Sequence, residues 1–143
     1  MTGAPDLSRF LDAQDGVWPR ALAELKAGRK QSHWMWFVFP QIAGLGRSAT
    51  ARHYAIASLA EARAYLAHPV LGPRLNEAAS ALLPHRERGA DAVMGDVDAM
   101  KLKSSMTLFE AAAENAAPFA SVLDAFFRGQ RDAATLDLLA GAR

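Results

Sequence analysis

The chain is expected to fold as an all-α protein: a single compact domain over residues 1–143, with about six to eight helices in an irregular orthogonal arrangement. Three observations carry that expectation. Apolar residues recur at intervals of three and four along most of the sequence, which places them on helical stripes. No segment shows sustained apolar and polar alternation bounded by hairpin turns, so a sheet has little support. Alanine is abundant throughout; it has the best helix propensity and lets helix axes approach closely.

Taken in order, Trp18, Leu22 and Leu25 share one helical face, Arg20 and Glu24 sit one turn apart on another, and Gly28 supplies a C-terminal stop. The apolar run 32–39 is too short for periodicity to assign. Ser32 would cap a short helix there, whereas the aromatic content would suit a strand, and Pro40 ends either one. Residues 41–46, with Gly44 and Gly46 on either side of Leu45, read as a turn that lets the backbone come close to another element. A helical segment over 49–56 follows. Ser58-Leu59-Ala60-Glu61 is a capping box opening a helix that runs to His68 and is closed by Pro69. Leu71, Leu75, Ala78, Ala79 and Leu82 form one apolar stripe, Leu102, Met106, Phe109 and Ala113 a second, and Phe119, Val122, Leu123, Phe126 and Phe127 a third. Gly129 stops the last of these, and 132–139 makes a short terminal helix.

At 143 residues the chain is long enough to bury roughly two thirds of its unfolded surface around one core. The 51% apolar and 22% charged composition is that of a globular protein. Sixteen Lys and Arg against fifteen Asp and Glu leave a net charge of +1, which offers no strong field for nucleic acid or an anionic membrane. With no cysteine, disulfides, thiolate metal sites and cysteine nucleophiles are excluded. No apolar run of signal-peptide length begins the chain, and none reaches the roughly 20 residues of a membrane span. A cytoplasmic protein is expected, without nucleic-acid or membrane partners.

Function is best sought in residues 30–48, where Trp34, Trp36, Phe37 and Phe39 stand among Lys30, Ser32, His33, Gln41, Arg47 and Ser48. Aromatic rings bury more apolar area than other side chains, so these four lie at the centre of the fold or line a pocket in it. His33 is a candidate proton acceptor, but adjacent side chains on a helix diverge by about 100°, so Ser32 and His33 make a poor nucleophile and base pair. Gly44-Leu45-Gly46-Arg47-Ser48 before a helix start resembles an anion-presenting loop, though the full spacing of a nucleotide fingerprint is missing and a tight interhelical turn is the commoner use. Tyr54 offers a ring either for a planar ligand or for burial against Trp34 or Trp36.

A second group spans 95–107. With Leu102, Met106 and Phe109 facing the core, Lys101 and Ser105 share an adjoining strip, and Lys103 and Thr107 another. Together with Ser104, these ammonium and hydroxyl groups suit a phosphate or carboxylate; a solvated helix face, capped by Asp96 or Asp98, is the plainer alternative. Two carboxylates alone are a weak signal for a cation, and no metal or cofactor is expected.

The stretches S-H-W-M-W-F-V-F-P-Q at 32–41 with Lys30, G-L-G-R-S at 44–48, Glu61-Ala62 with Tyr65-Leu66, L-G-P-R-L at 71–75 and K-L-K-S-S-M-T-L-F at 101–109 resemble those of the bacterial family known as domain of unknown function 1810. The likeness covers nearly the whole chain. It implies an unusual all-α arrangement and brings no established activity or cofactor. The label calpastatin attached to some members would imply a disordered polar inhibitor, which this composition does not match. A fainter similarity, mainly in helical character and a K-L/F-type helix start, points toward helical proteins of NAD and ADP-ribose metabolism.

Three readings stay open. In the first, Lys30, Ser32, His33, Trp34, Trp36, Phe39, Gln41, Arg47, Ser48, Tyr54, Lys101, Ser104 and Ser105 bind a small planar anion such as a nucleotide or an ADP-ribose derivative. In the second, the same pocket is a hydrolase, with His33 or Asp98 as general base and Lys101 steadying negative charge. In the third, the chain is a structural or protein-interaction module with no small-molecule site, its aromatics core and its polar residues helix caps, with protein partners unknown. Convergence of the 30–48 and 96–107 groups on one cavity would support a site.

Overall fold

A computed structural model describes residues 6–141, so the start of the N-terminal segment judged above to lack a leader lies outside the described residues. The described chain forms α1 (Ser8–Gln14), α2 (Trp18–Ala27), α3 (Met35–Val38), α4 (Ala49–His53), α5 (Leu59–Ala67), α6 (Leu71–Leu82), a 3₁₀ turn (Leu83–His85), α7 (Ala90–Met94), α8 (Asp96–Ala112), α9 (Phe119–Phe127) and α10 (Ala133–Gly141). The all-α class is borne out. The count is ten rather than six to eight because α1 and α7, of seven and five residues, were not expected; one or two turns show little periodicity. No described helix is long and apolar enough to cross a membrane.

The core is built around α8, which packs against α5, α7, α9 and α10. Residues 104–109 are all buried; six in succession exceed one turn, so this part of α8 is enclosed on every side rather than along the single stripe expected. Enclosure forces three hydroxyls inside. Ser104 Oγ donates to Met100 O at 3.2 Å and Thr107 Oγ1 to Lys103 O at 2.8 Å, the usual way for a helix to satisfy its own hydroxyls. Ser105 Oγ is buried with no hydrogen-bond partner. Ser105→Ala is therefore expected to be neutral or to stabilise by up to about 1 kcal/mol in urea unfolding, since it removes a desolvated orphan and improves helix propensity.

The stripe Leu71, Leu75, Ala78, Ala79 and Leu82 is wholly buried as expected, with α6 set against α2, α5 and α9. Gly28 closes α2 in the left-handed region at φ 72°, a conformation in which glycine meets no Cβ penalty. At α5, Ser58 Oγ accepts from Glu61 N at 3.2 Å, while the Glu61 carboxylate takes the amide of Ala57 at 2.9 Å and pairs with Arg9 at 3.1 Å. Half of the expected capping box is thus present, and its other half reaches one residue further back.

Two features place the 30–48 segment. Gln14, buried at the end of α1, donates through Nε2 to Phe37 O at 2.7 Å and to Tyr65 Oη at 3.2 Å, and accepts from Arg74 at 3.2 Å. Burial pushes the Tyr65 phenol up, so it stays neutral inside the core. The 41–46 turn is pinned by an isolated parallel bridge between Ile42 and Ile56, with Ile56 N donating to Gln41 O and Ala43 N to Ile56 O, both at 2.8 Å. Drawing Ile56 into this bridge ends α4 at His53, so the helix expected over 49–56 is shorter.

Candidate functional site

The 30–48 and 96–107 groups meet. Lys30, just beyond α2, is fixed at both ends: its backbone N–H donates to Val93 O at 2.8 Å, and its Nζ donates to Ser32 O at 2.6 Å, pairs with Asp98 Oδ2 at 2.8 Å and lies 4.9 Å from the Trp34 ring centroid. Lys101, one turn along α8 from Asp98, pairs with Asp98 Oδ1 at 3.4 Å and sits 4.6 Å from the centroid of half-buried Trp36. One carboxylate therefore serves two ammonium groups. The Lys30 side chain is only 7% exposed and the Lys101 side chain 23%, so Lys30 holds Asp98 in place and Lys101 is the cation nearer to solvent. Asp98 accordingly anchors this pair and does not cap α8; the residue at the cap is Gly95, and no side chain caps the start.

Behind this network lies a carboxylate the sequence did not single out. Glu24 Oε1 accepts from Gln31 N at 2.7 Å, Ser32 N at 2.9 Å and Trp34 Nε1 at 3.0 Å, and Oε2 accepts from Ser32 Oγ at 2.6 Å. Burial pushes the Glu24 carboxyl up, but the Ser32 hydroxyl, the two amides and the indole outweigh it and hold it down at about 2. Ser32 thus fastens the segment to α2 and does not cap a helix, a correction to the sequence reading; α3 starts after Trp34 with no side-chain cap.

On the solvent side, a cleft of about 480 Å³ opens between the 41–46 turn, the N-terminal half of α8 and the start of α10. Gln41, Leu45 and Gly46 form one wall, Val97, Met100, Lys101, Lys103 and Ser104 another, and Asp132 and Ala134 the third. Val97 and Met100 are 67% and 73% exposed, unusual for large apolar side chains on an otherwise well-packed helix. Gly46 sets the turn close to α4, since a Cβ there would stand 2.4 Å from the Cβ of Ala51. The third wall is tied to α8: Asp132 N donates to Thr107 Oγ1 at 2.9 Å, Arg131 Nε donates to Glu110 Oε1 at 2.8 Å, and Asp132 Oδ2 caps α10 by accepting from Thr135 N and Oγ1.

Of the predicted site residues, Gln41, Lys101 and Ser104 line the cleft, while Lys30, Ser32, Trp34 and Trp36 belong to the network beside it. Trp34 and Phe39 are fully buried, their ring centroids 6.3 Å apart, and serve as core. Ser48 caps α4 by accepting from Ala51 N at 3.0 Å. Tyr54 packs on Phe37, Phe10 and His53, at centroid distances of 5.4, 6.1 and 4.6 Å, rather than on a tryptophan. His33 and Arg47 are exposed and are not on the cleft lining. Lys103, expected with Thr107 to suit an anion, also lines the cleft, and Leu45, Val97 and Met100 join the lining without having been placed among the site residues. Among the described residues no group of three or more His, Asp or Glu side chains stands ready for a metal.

The chain matches, over residues 4–139, the family model described as "Protein of unknown function (DUF1810)". No curated protein matches it. The crystal structure of the conserved hypothetical protein Rv1873 from Mycobacterium tuberculosis is similar throughout, with 47% sequence identity, 94% of this chain and 96% of that chain covered, and a TM-score of 0.92.

Proposed function

The chain belongs to the DUF1810 family, whose description is of unknown function, and from its own side chains we propose that it binds a small planar anion, of the nucleotide or ADP-ribose kind, in the cleft between the 41–46 turn and α8. The observation that carries this reading is that Gln41 on one wall faces Lys101, Lys103 and Ser104 on another across about 480 Å³, a volume within the usual range for small-molecule sites. Lys103 has no ion-pair partner among the described residues. Lys101 shares its carboxylate with Lys30, so the triad of two ammonium groups and one carboxylate keeps one positive charge in excess. An anion beside Lys101 meets that excess, and Asp98 stays neutralised by Lys30 when Lys101 turns to the ligand. Leu45, Val97 and Met100 supply apolar surface for a planar group, and the Gln41 amide offers both a donor and an acceptor to orient it.

Neither of the two general bases expected for a hydrolase is free at the cleft. Both Asp98 oxygens are engaged by ammonium groups, and His33 lies off the lining. Binding without turnover is the reading we carry, in a chain taken as one domain.

A thermal-shift panel of nucleotides, NAD, ADP-ribose and sugar phosphates, run on wild type and Lys101→Ala, tests it. A ligand at about 100 times its dissociation constant adds about 2.7 kcal/mol of stability. The expected result is a rise in melting temperature for at least one anion, lost or sharply reduced in Lys101→Ala. Silence across the panel, with both proteins melting alike, would leave the exposed Val97 and Met100 as part of a protein-binding face instead.

A further inference from the structure

At the other end of α8 a second cleft, of about 490 Å³, opens between α5, α6 and the start of α9. It is distant from the first, because Ala112 lies eleven residues beyond Lys101, roughly 17 Å along the helix. Leu66, Ala112 and Phe119 give it apolar lining, Asn76 and Asn115 add two amides, and its two charged groups are Arg63 from α5 and Glu114 just beyond α8. These two line one cleft without forming an ion pair, and neither has an ion-pair partner among the described residues. Unlike charges facing one cavity yet too far apart to pair leave room for a ligand that carries both signs.

The backbone adds a second acceptor. The last backbone bond of α8 runs from Ala113 N to Phe109 O, so the carbonyls of residues 110–112 receive no backbone N–H among the described residues. No basic side chain stands in the last turn, and the C-terminus of a 17-residue helix carries a partial negative charge of about half a unit. Since Ala112 and Ala113 line the cleft, this end of α8 favours a cation there, in the way its lysine-bearing half favours an anion.

We propose that this second cleft takes a small zwitterion, a free α-amino acid with an apolar side chain. Its ammonium group sits between Glu114 and the open carbonyls of α8, its carboxylate meets the Arg63 guanidinium, and its side chain covers Leu66 and Ala113. Arg matches a carboxylate through two parallel N–H donors, which sets the orientation of the ligand.

Isothermal titration with L-leucine and L-phenylalanine, and with N-acetyl-leucine and leucinamide as single-charge analogues, tests the proposal. The expected result is binding of a free amino acid at least tenfold tighter than of either blocked form. Arg63→Ala should erase the preference for leucine over leucinamide, and Glu114→Ala the preference over N-acetyl-leucine. Both side chains are exposed, so both variants should melt with wild type, and Lys101→Ala should bind leucine as wild type does. No binding of either amino acid up to about 10 mM, or blocked forms binding as well as free ones, would overturn it.

Discussion

Trp34→Ala should lower the unfolding free energy by about 3–5 kcal/mol, the range for truncating a large aromatic side chain in a core. Trp34 is fully buried, stacked at an angle on Phe39, with Lys30 over its ring and its indole N–H spent on Glu24. The substitution leaves a cavity and also removes one of the four donors that hold the Glu24 carboxylate. Trp36→Ala is the control. That ring is half-buried beneath Lys101, and its loss should cost about 1 kcal/mol, as is typical of partly exposed positions. Urea unfolding of the two variants beside wild type measures the difference, and equal losses would contradict the division into a core tryptophan and a site-flanking one.

Glu24→Ala is the second large effect, expected at about 3 kcal/mol, because hydrogen bonds to a charged acceptor contribute more than neutral ones and the indole and Ser32 hydroxyl would be left without it. The pH dependence has a definite sign. The folded carboxyl is held at about 2 against an ordinary value of 4.5, so its contribution is fully present above pH 4.5 and is lost as pH falls toward about 2. Wild type should therefore lose stability over that acid window more steeply than Glu24→Ala. Parallel acid profiles would mean that the carboxylate is not the acceptor described.

Helices that carry their own pattern were legible in the sequence. The stripe from Leu71 to Leu82 and the stop at Gly28 follow from spacing and from one backbone conformation, both local properties. The helices α1 and α7 were not legible, since one or two turns have little repeat to detect, and α3 could not be told from a strand. The site divides along the same line. Gln41, Lys101 and Ser104 stood out because polar groups clustered near aromatic or apolar runs, and they do reach the cleft. Glu24 gave no local sign of its role, because its four donors come from residues 31–34, beyond the end of its own helix. Trp34 and Phe39 look the same in sequence whether they wall a pocket or fill a core, and only packing tells the two apart. Lys103 and Met100 became lining residues through the approach of the 41–46 turn and α10, a long-range event fixed by the Ile42 and Ile56 bridge and by Asp132 on Thr107.

The most direct test of the anion-binding cleft is a titration of ¹⁵N-labelled protein with ADP-ribose and AMP, followed through the backbone amide resonances. Saturable shifts are expected, confined to the 41–46 turn, residues 97–104 and the start of α10, and absent in Lys101→Ala. Shifts centred elsewhere, or none at all for either ligand, would contradict anion binding in this cleft.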